Sequence, residues 1–312
     1  MCTGIKMDYP ESCVLGRTMD IEAPVDYNVI YQPRNYPCAD NLLGGKHLSR
    51  YQIMGVGFRN QDPLKDGINE HGLIGVTNDF GGFNLFASQA DPDKTNLSSY
   101  HFMNYVLANF RSVEELLEAL PQLHLSSHDS QGNKVIAPDF HFMFADSSQR
   151  CVVIEPYQQT LKVYANPYNV MTNSPKFPSH EKYLLDLFDL QNLDDFNGAK
   201  ALPGGYDPKS RFVKAFYQSQ NSLVPEDSQT ALGYLFRVLS AVALPQGFIK
   251  NQKFHSITFT QYISAYNSQD KTLYVQAVDN PTVYRLSFGD IDDLSKRQSF
   301  YLEENFTYQN FI

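Results

Sequence analysis

The chain opens MCTGIKMDYPESCVLGRTMDIE, with Cys2 directly behind a methionine and Arg17 and Asp20 a short hairpin later. A small residue at position 2 permits removal of Met1, and Cys2 would then carry a thiol and a free α-amine on one residue. An α-amine titrates near roughly 8 and a cysteine thiol near roughly 8.5, so nucleophile and base would both lie close to working pH. If MDYPES holds a turn centred near residue 10, cross-strand partners have numbers that sum to about 20, and Cys2 lies opposite Thr18. Arg17 and Asp20 are then its near neighbours. Arg17 would favour the thiolate, and Asp20 would accept a hydrogen bond from the α-ammonium and orient it. The amine would take the thiol proton and return it to a leaving amine, which makes acyl transfer the natural reaction class. The competing reading of Arg-Thr-Met-Asp alone is a surface ion pair on an edge strand.

Bulk properties exclude several other functions. The 312 residues, 42% hydrophobic and 19% charged, suit an ordinary globular chain, read as one domain over residues 1–312. A net charge of -9 without a basic run argues against nucleic acid, whose binding needs clustered Lys and Arg. With neither a signal-peptide pattern nor an apolar stretch of about 18 residues, no membrane partner and a cytoplasmic location are expected. Cys13 and Cys151 have apolar flanks that suit small buried hydrophobes, Cys38 follows a proline, and none stands in a recognisable papain-like signature. The eight histidines are scattered and HEKY at 180–183 is not HExxH, so no metal or other cofactor is expected.

The elements that must position these residues come in blocks. CVLGRTMD, YNVIYQP, YQIMGVGF and GLIGVTNDF read as strands broken by Pro, Asn, Asp and Gly. SSYHFMNYVLANF and SVEELLEALPQL have helical apolar spacing, and Ser112 with Glu115 forms a capping-box pattern. DFHFMFADSSQRCVVIEP, TLKVYAN and YNVMTNSP return to strand, with a hairpin turn at Ser147 and Ser148. Three helices follow: HEKYLLDLFDL, then DPKSRFVKAFYQS capped by Asp207 with Pro208 at its first position, then DSQTALGYLFRVLSAVAL. HSITFTQYISAYN, KTLYVQAV and VYRLSF close the chain as strands. Strands then helices, twice over, predict a layered α+β domain rather than a doubly wound sheet.

Several separated motifs occur in one order: RTMD at 17–20, PRNY at 33–36, DGINEHGL at 66–73, VIEP at 153–156, NVMTNSP at 169–175, LPGGY at 202–206 and SRF at 210–212. On these the sequence resembles the choloylglycine hydrolases, which include penicillin V acylases and bile salt hydrolases, among the N-terminal-nucleophile (Ntn) hydrolases. The resemblance implies a four-layer αββα sandwich of two antiparallel sheets between helices. It implies that Cys2 is the nucleophile, that Arg17 and Asp20 tune its thiol and amine, that Asn173 supplies an oxyanion-hole amide, and that Arg211 is a charged site residue. By ungapped comparison through GLIGVTNDFGGF, the second oxyanion donor is the backbone N–H of Asp79, whose side chain brings extra negative charge. Outside the resemblance, Asn173 before Ser-Pro reads as a turn former and Arg211 as a surface charge.

The expected partner is a small-molecule amide with a bulky acyl group, in an apolar pocket to which Met54, Phe58, Phe80 and Phe83 are candidates. Each of the four reads equally well as core. TNSP leans toward the penicillin V acylase side and aryl-acyl amides. Bile salt deconjugation, acyl-homoserine lactone hydrolysis and a non-catalytic binding protein of the same fold are the alternatives. A homo-oligomer, dimer or tetramer, is possible, although the segment between Asn173 and Leu202 is shorter than in family members where an extension joins subunits.

Overall fold

The computed structural model describes residues 1–22, 25–189, 202–251 and 256–309. Most of the shortened segment before Leu202, residues 190–201, lies outside these. Strand β1 (Cys2–Tyr9) turns through Pro10 and Glu11 into β2 (Ser12–Ile21). β3 (Tyr27–Gln32), a small hairpin of β4 (Pro37–Asp40) and β5 (Lys46–Leu48), then β6 (Ile53–Phe58), β7 (Leu64–Asn69) and β8 (Ile74–Asp79) follow. After β9 (Thr95–Leu97) come α1 (Ser99–Asn109), α2 (Val113–Ala119), β10 (Leu123–Leu125), β11 (Phe140–Ala145), β12 (Cys151–Tyr157), β13 (Thr160–Ala165) and β14 (Val170–Met171). Helices α3 (Phe177–Phe188), α4 (Pro208–Gln220) and α5 (Ser228–Val242) lead to β15 (Ile249–Asn251), β16 (Ser256–Asn267), β17 (Thr272–Ala277), β18 (Tyr284–Ser287) and β19 (Gln298–Tyr301).

Two large antiparallel sheets result. One runs β14-β1-β2-β16-β17-β18 with β15 added to β16, and the other runs β13-β12-β11-β8-β7-β6-β3-β19. Helices α4 and α5 pack on β1 and β2, and α1 packs on β7, β8 and β11, giving the αββα sandwich of Ntn hydrolases. Covering on both faces explains why β2 lacks the in/out alternation of a half-exposed strand: nine of its ten residues are buried. Arg17, Thr18 and Asp20 are among them, so the fold must find each of their polar groups a partner.

The helix caps match the sequence reading, with one refinement. Ser112 Oγ accepts from Glu115 N at 3.2 Å, but the Glu115 carboxylate reaches back to Arg111 N, one residue beyond the capping residue. Asp207 accepts from the N–H groups of Lys209 and Ser210 at the start of α4. Among the described residues, no helix is long and apolar enough to cross a membrane.

The hairpin register departs from expectation by one residue. Cys2 pairs with Met19 and Thr3 with Thr18, because the turn holds two residues, 10 and 11, rather than centring on one. Since side chains alternate, the shift decides faces. A Cβ on Gly4 would touch Val76 and Met143 of the second sheet, and one on Gly16 would collide with Ser264 O and Leu239 of α5. Cys2, Arg17 and Met19 therefore face the second sheet, whereas Thr18 and Asp20 face the helices.

Candidate active site

Strand pairing alone brings Asn173 to Cys2. Gly4 pairs with Met171 across β1 and β14, and continuing that antiparallel register by two residues sets Asn173 opposite Cys2. The Cys2 N–H donates to Asn173 Oδ1 at 2.6 Å, and Asn173 Nδ2 donates to Asp79 O at 3.0 Å. Arg211, in the first turn of α4, turns inward. Its guanidinium donates to Cys2 O at 2.7 Å, Thr3 Oγ1 at 2.6 Å, Asn173 Oδ1 at 2.8 Å and Tyr206 O at 2.9 Å. A cation at the positive end of a helix dipole is disfavoured, and these four acceptors explain its position. Burial lowers the Arg211 pKa, opposed by Asp20 and Cys2.

Asp20 approaches Cys2 through its backbone. Its carbonyl accepts from the Met1 ammonium at 2.8 Å and lies 3.8 Å from Cys2 Sγ. The carboxylate is occupied elsewhere, by Thr260 Oγ1 at 2.6 Å and Thr18 Oγ1 at 3.2 Å, with Arg211 4.0 Å away. The face assignment of β2 thus turns that carboxylate toward the helix side, and the Cys2 nitrogen is hydrogen-bonded to Asn173 Oδ1. Burial raises the Asp20 pKa, opposed by Arg211, the chain's amino group and Thr260.

Arg17 shares the Cys2 face and is fully buried. Asp66 Oδ2 lies 3.6 Å from its guanidinium, which also donates to Lys65 O at 3.1 Å and Thr18 O at 3.2 Å. Asp66 in turn accepts from Tyr262, Ser264 and Tyr266 of β16. Burial works against the Arg17 charge, but nearby Cys2, Tyr262, Asp66 and Asp20 outweigh it and hold its pKa above the ordinary value.

Cys2, Arg17, Met19, Asp20, Thr77 and Asp79 line one end of a cavity of about 990 Å³, and Phe58, Lys65, Tyr100, Ile136 and Phe140 are at its other walls. Of the four aromatic and methionine candidates, Phe58 lines this cavity. Met54 is wholly buried in the core, and Phe80 is stacked between His141 at 4.6 Å and Phe83 at 5.5 Å. Those three are not among the lining residues. Phe80 N donates to Asp139 O, so by strand alternation the N–H and C=O of Asp79 point the other way, toward Asn173.

Two histidines that sequence reasoning passed over hold the Asn173 segment. His141 Nε2 lies 2.8 Å from Thr172 O and His180 Nε2 2.8 Å from Asn173 O. Carbonyls only accept, so both Nε2 atoms carry the proton. Burial lowers the His180 pKa to about 4, which keeps the ring neutral. Asn78 Nδ2 adds bonds to Met171 O and Thr172 O. No sequence pattern marked these residues, because their partners are backbone carbonyls brought near only by strand order. Among the described residues, no cluster of three or more His, Cys, Asp or Glu side chains could hold a metal ion.

A family model described as linear amide C–N hydrolases, choloylglycine hydrolase family, matches residues 2–296. The chain belongs to the choloylglycine hydrolase family. It is accordingly an amidohydrolase that acts on linear amides. It is 30% identical over 294 residues to a conjugated bile acid hydrolase of Lactobacillus gasseri, covering 88% of this chain and 92% of that protein. Its structure matches a C2A variant of conjugated bile acid hydrolase from Clostridium perfringens with a TM-score of 0.86, 25% identity and full coverage of both chains. A penicillin V acylase of Pectobacterium atrosepticum is 28% identical over 207 residues, 62% of this chain and 53% of that protein. Within this choloylglycine hydrolase, the balance of similarity therefore reverses the lean drawn from TNSP. That tetrapeptide carries the Asn173 amide and its turn; it does not line the substrate cavity.

Proposed function

We propose that this choloylglycine hydrolase cleaves the amide of conjugated bile acids, releasing glycine or taurine, with Cys2 as nucleophile. The observation that carries the reading is the cavity of about 990 Å³ that opens beside Cys2, large enough for a bulky polycyclic acyl group and walled largely by apolar side chains. Similarity over nearly the whole chain to conjugated bile acid hydrolases supports the same substrate class.

In this reading Met1 is removed first, and the Cys2 nitrogen, on Asn173 Oδ1 at 2.6 Å, becomes an amine. That amine takes the thiol proton while Sγ attacks the substrate carbonyl carbon. The oxyanion accepts hydrogen bonds from the Asn173 Nδ2 hydrogen not used by Asp79 O and from the Asp79 backbone N–H. The tetrahedral adduct collapses to a thioester, and the ammonium of Cys2 returns its proton to the departing amine. Water, activated by the same amine, then releases the acid. Arg17 favours the thiolate by its charge. Arg211 fixes the Cys2 carbonyl and the Asn173 amide in one orientation.

The test combines intact mass with product assays for glycine from glycodeoxycholate and phenoxyacetate from penicillin V. The expected result is a chain lacking Met1 that releases glycine, and a Cys2→Ala variant at least about 10⁴-fold slower. Phenoxyacetate release without glycine would transfer the assignment to the penicillin side. A processed chain inert toward both would sink the substrate assignment.

A further inference from the structure

Lys65 is the extra residue of a β-bulge. Gly57 of β6 pairs with Leu64 and Val56 with Asp66, which leaves Lys65 on β7 without an opposing residue. Bulges re-aim side chains and are concentrated near active sites. This one has two consequences. Its free carbonyl is taken by Arg17 Nη1 at 3.1 Å and Thr77 Oγ1 at 2.8 Å. Its side chain runs into the cavity beside Cys2, where Nζ lies 4.5 Å from the Phe58 ring centre, 4.7 Å from Tyr100 and 5.5 Å from Phe140.

The residue is only 6% exposed. Among the described residues, no carboxylate lies within 4 Å of its ammonium and no hydrogen-bond acceptor reaches it; the adjacent Asp66 is committed to Arg17 and three hydroxyls of β16. Ring faces offset part of the desolvation of a cation, by about 2 kcal/mol or more, and satisfy none of its three N–H donors. The other buried cation of the cavity wall, Arg17, spends its donors on protein acceptors. Lys65 alone among the described buried cations there keeps its donors for something that enters.

We propose that Lys65 recognises an acidic group of the substrate, so that the enzyme selects linear amides bearing a carboxylate or sulfonate in addition to the scissile bond. This rests on the substrate cavity identified above and holds whichever acyl group fills it. The acid could stand on the amine portion, as in an N-acylglycine or N-acyltaurine, or on the acyl portion, as in a dicarboxylic monoamide. Burial lowers the Lys65 pKa to about 8, and at neutral pH the ammonium is the major form.

The experiment measures calorimetric affinity on the Cys2→Ala protein, which needs no turnover, with and without Lys65→Met. Two matched pairs isolate charge: deoxycholylglycine against deoxycholylglycinamide for the amine side, and the p-nitroanilides of glutarate and valerate for the acyl side. The expected result is tighter binding of the charged member in at least one pair and a loss of about tenfold or more in Lys65→Met, with the neutral member unchanged or improved. The pair that responds assigns the side. Equal affinities within both pairs, no binding of either charged compound, or equal losses for charged and neutral members would overturn the proposal. Failure of the wild type to cleave glycodeoxycholate while the anilide pair still discriminates would remove the bile-acid reading and leave Lys65's role standing.

Discussion

Two parts of the cavity wall treat charge in opposite ways. Around Cys2, Asn173 Oδ1 takes two donors, Arg211 meets four acceptors, and Asp66 balances Arg17 while accepting three hydroxyls. On the neighbouring wall the Lys65 ammonium lies over the faces of Phe58, Tyr100 and Phe140 and donates to no protein acceptor among the described residues. Saturated hydrogen bonding holds atoms still, which suits the place where bonds break. An unsatisfied charge keeps its interaction energy for a ligand, at the expense of stability in the free protein.

The first way to break this comparison is at its saturated part. Asp66→Asn removes the counter-charge of a buried Arg17 and is expected to destabilise the fold by about 3–5 kcal/mol, read from the denaturant midpoint. A loss below about 1 kcal/mol would mean that the three hydroxyls, not the ion pair, hold the site. Asn173→Ala comes next, with kcat lowered by roughly 10²–10³ and a much smaller change in KM, because the oxyanion donor proposed here would act on the transition state. An equal effect on KM would recast Asn173 as a substrate-binding residue.

The unsatisfied part gives the smallest effect and the opposite sign. Burial depresses the Lys65 pKa from 10.5 to about 8 in the fold, so between those values the unfolded chain binds the proton more tightly. The cost of the buried charge is then fully present below pH 8 and relieved as pH rises to 10.5, a span worth on the order of 3 kcal/mol. Lys65→Met carries no such cost. The variant is expected to be more stable than wild type at pH 7, with the gap closing by pH 10.5, as followed by urea unfolding across that range. A gap of constant size would point to packing rather than charge.

How much of this was legible depended on range. The grouping of Cys2 with Arg17 and Asp20 could be read because one hairpin joins them, and the caps at Ser112 and Asp207 could be read because capping is local. The one-residue error in register came from counting a two-residue turn as centred on residue 10, and it moved Asp20 to the helix face. The tyrosine partners of Asp66 were out of reach, since Tyr262 is 196 residues away and meets it only where the β16 sheet packs on the β7 sheet. The bulge at Lys65 was invisible for a similar reason: it exists only in the alignment of β6 with β7. Phe80 and Phe83 adjoin a motif strand but stack on one another and on His141, a choice that sequence proximity does not decide.

The position of Met1 has a practical side. Its ammonium is bonded to the Asp20 carbonyl and the residue forms part of the cavity wall next to the thiol. On the proposed mechanism, an affinity tag fused ahead of Cys2 would crowd the cavity beside the thiol as well as block the amine. Trimming back to Cys2 would, on the same mechanism, free the amine and open the cavity beside the thiol in one step.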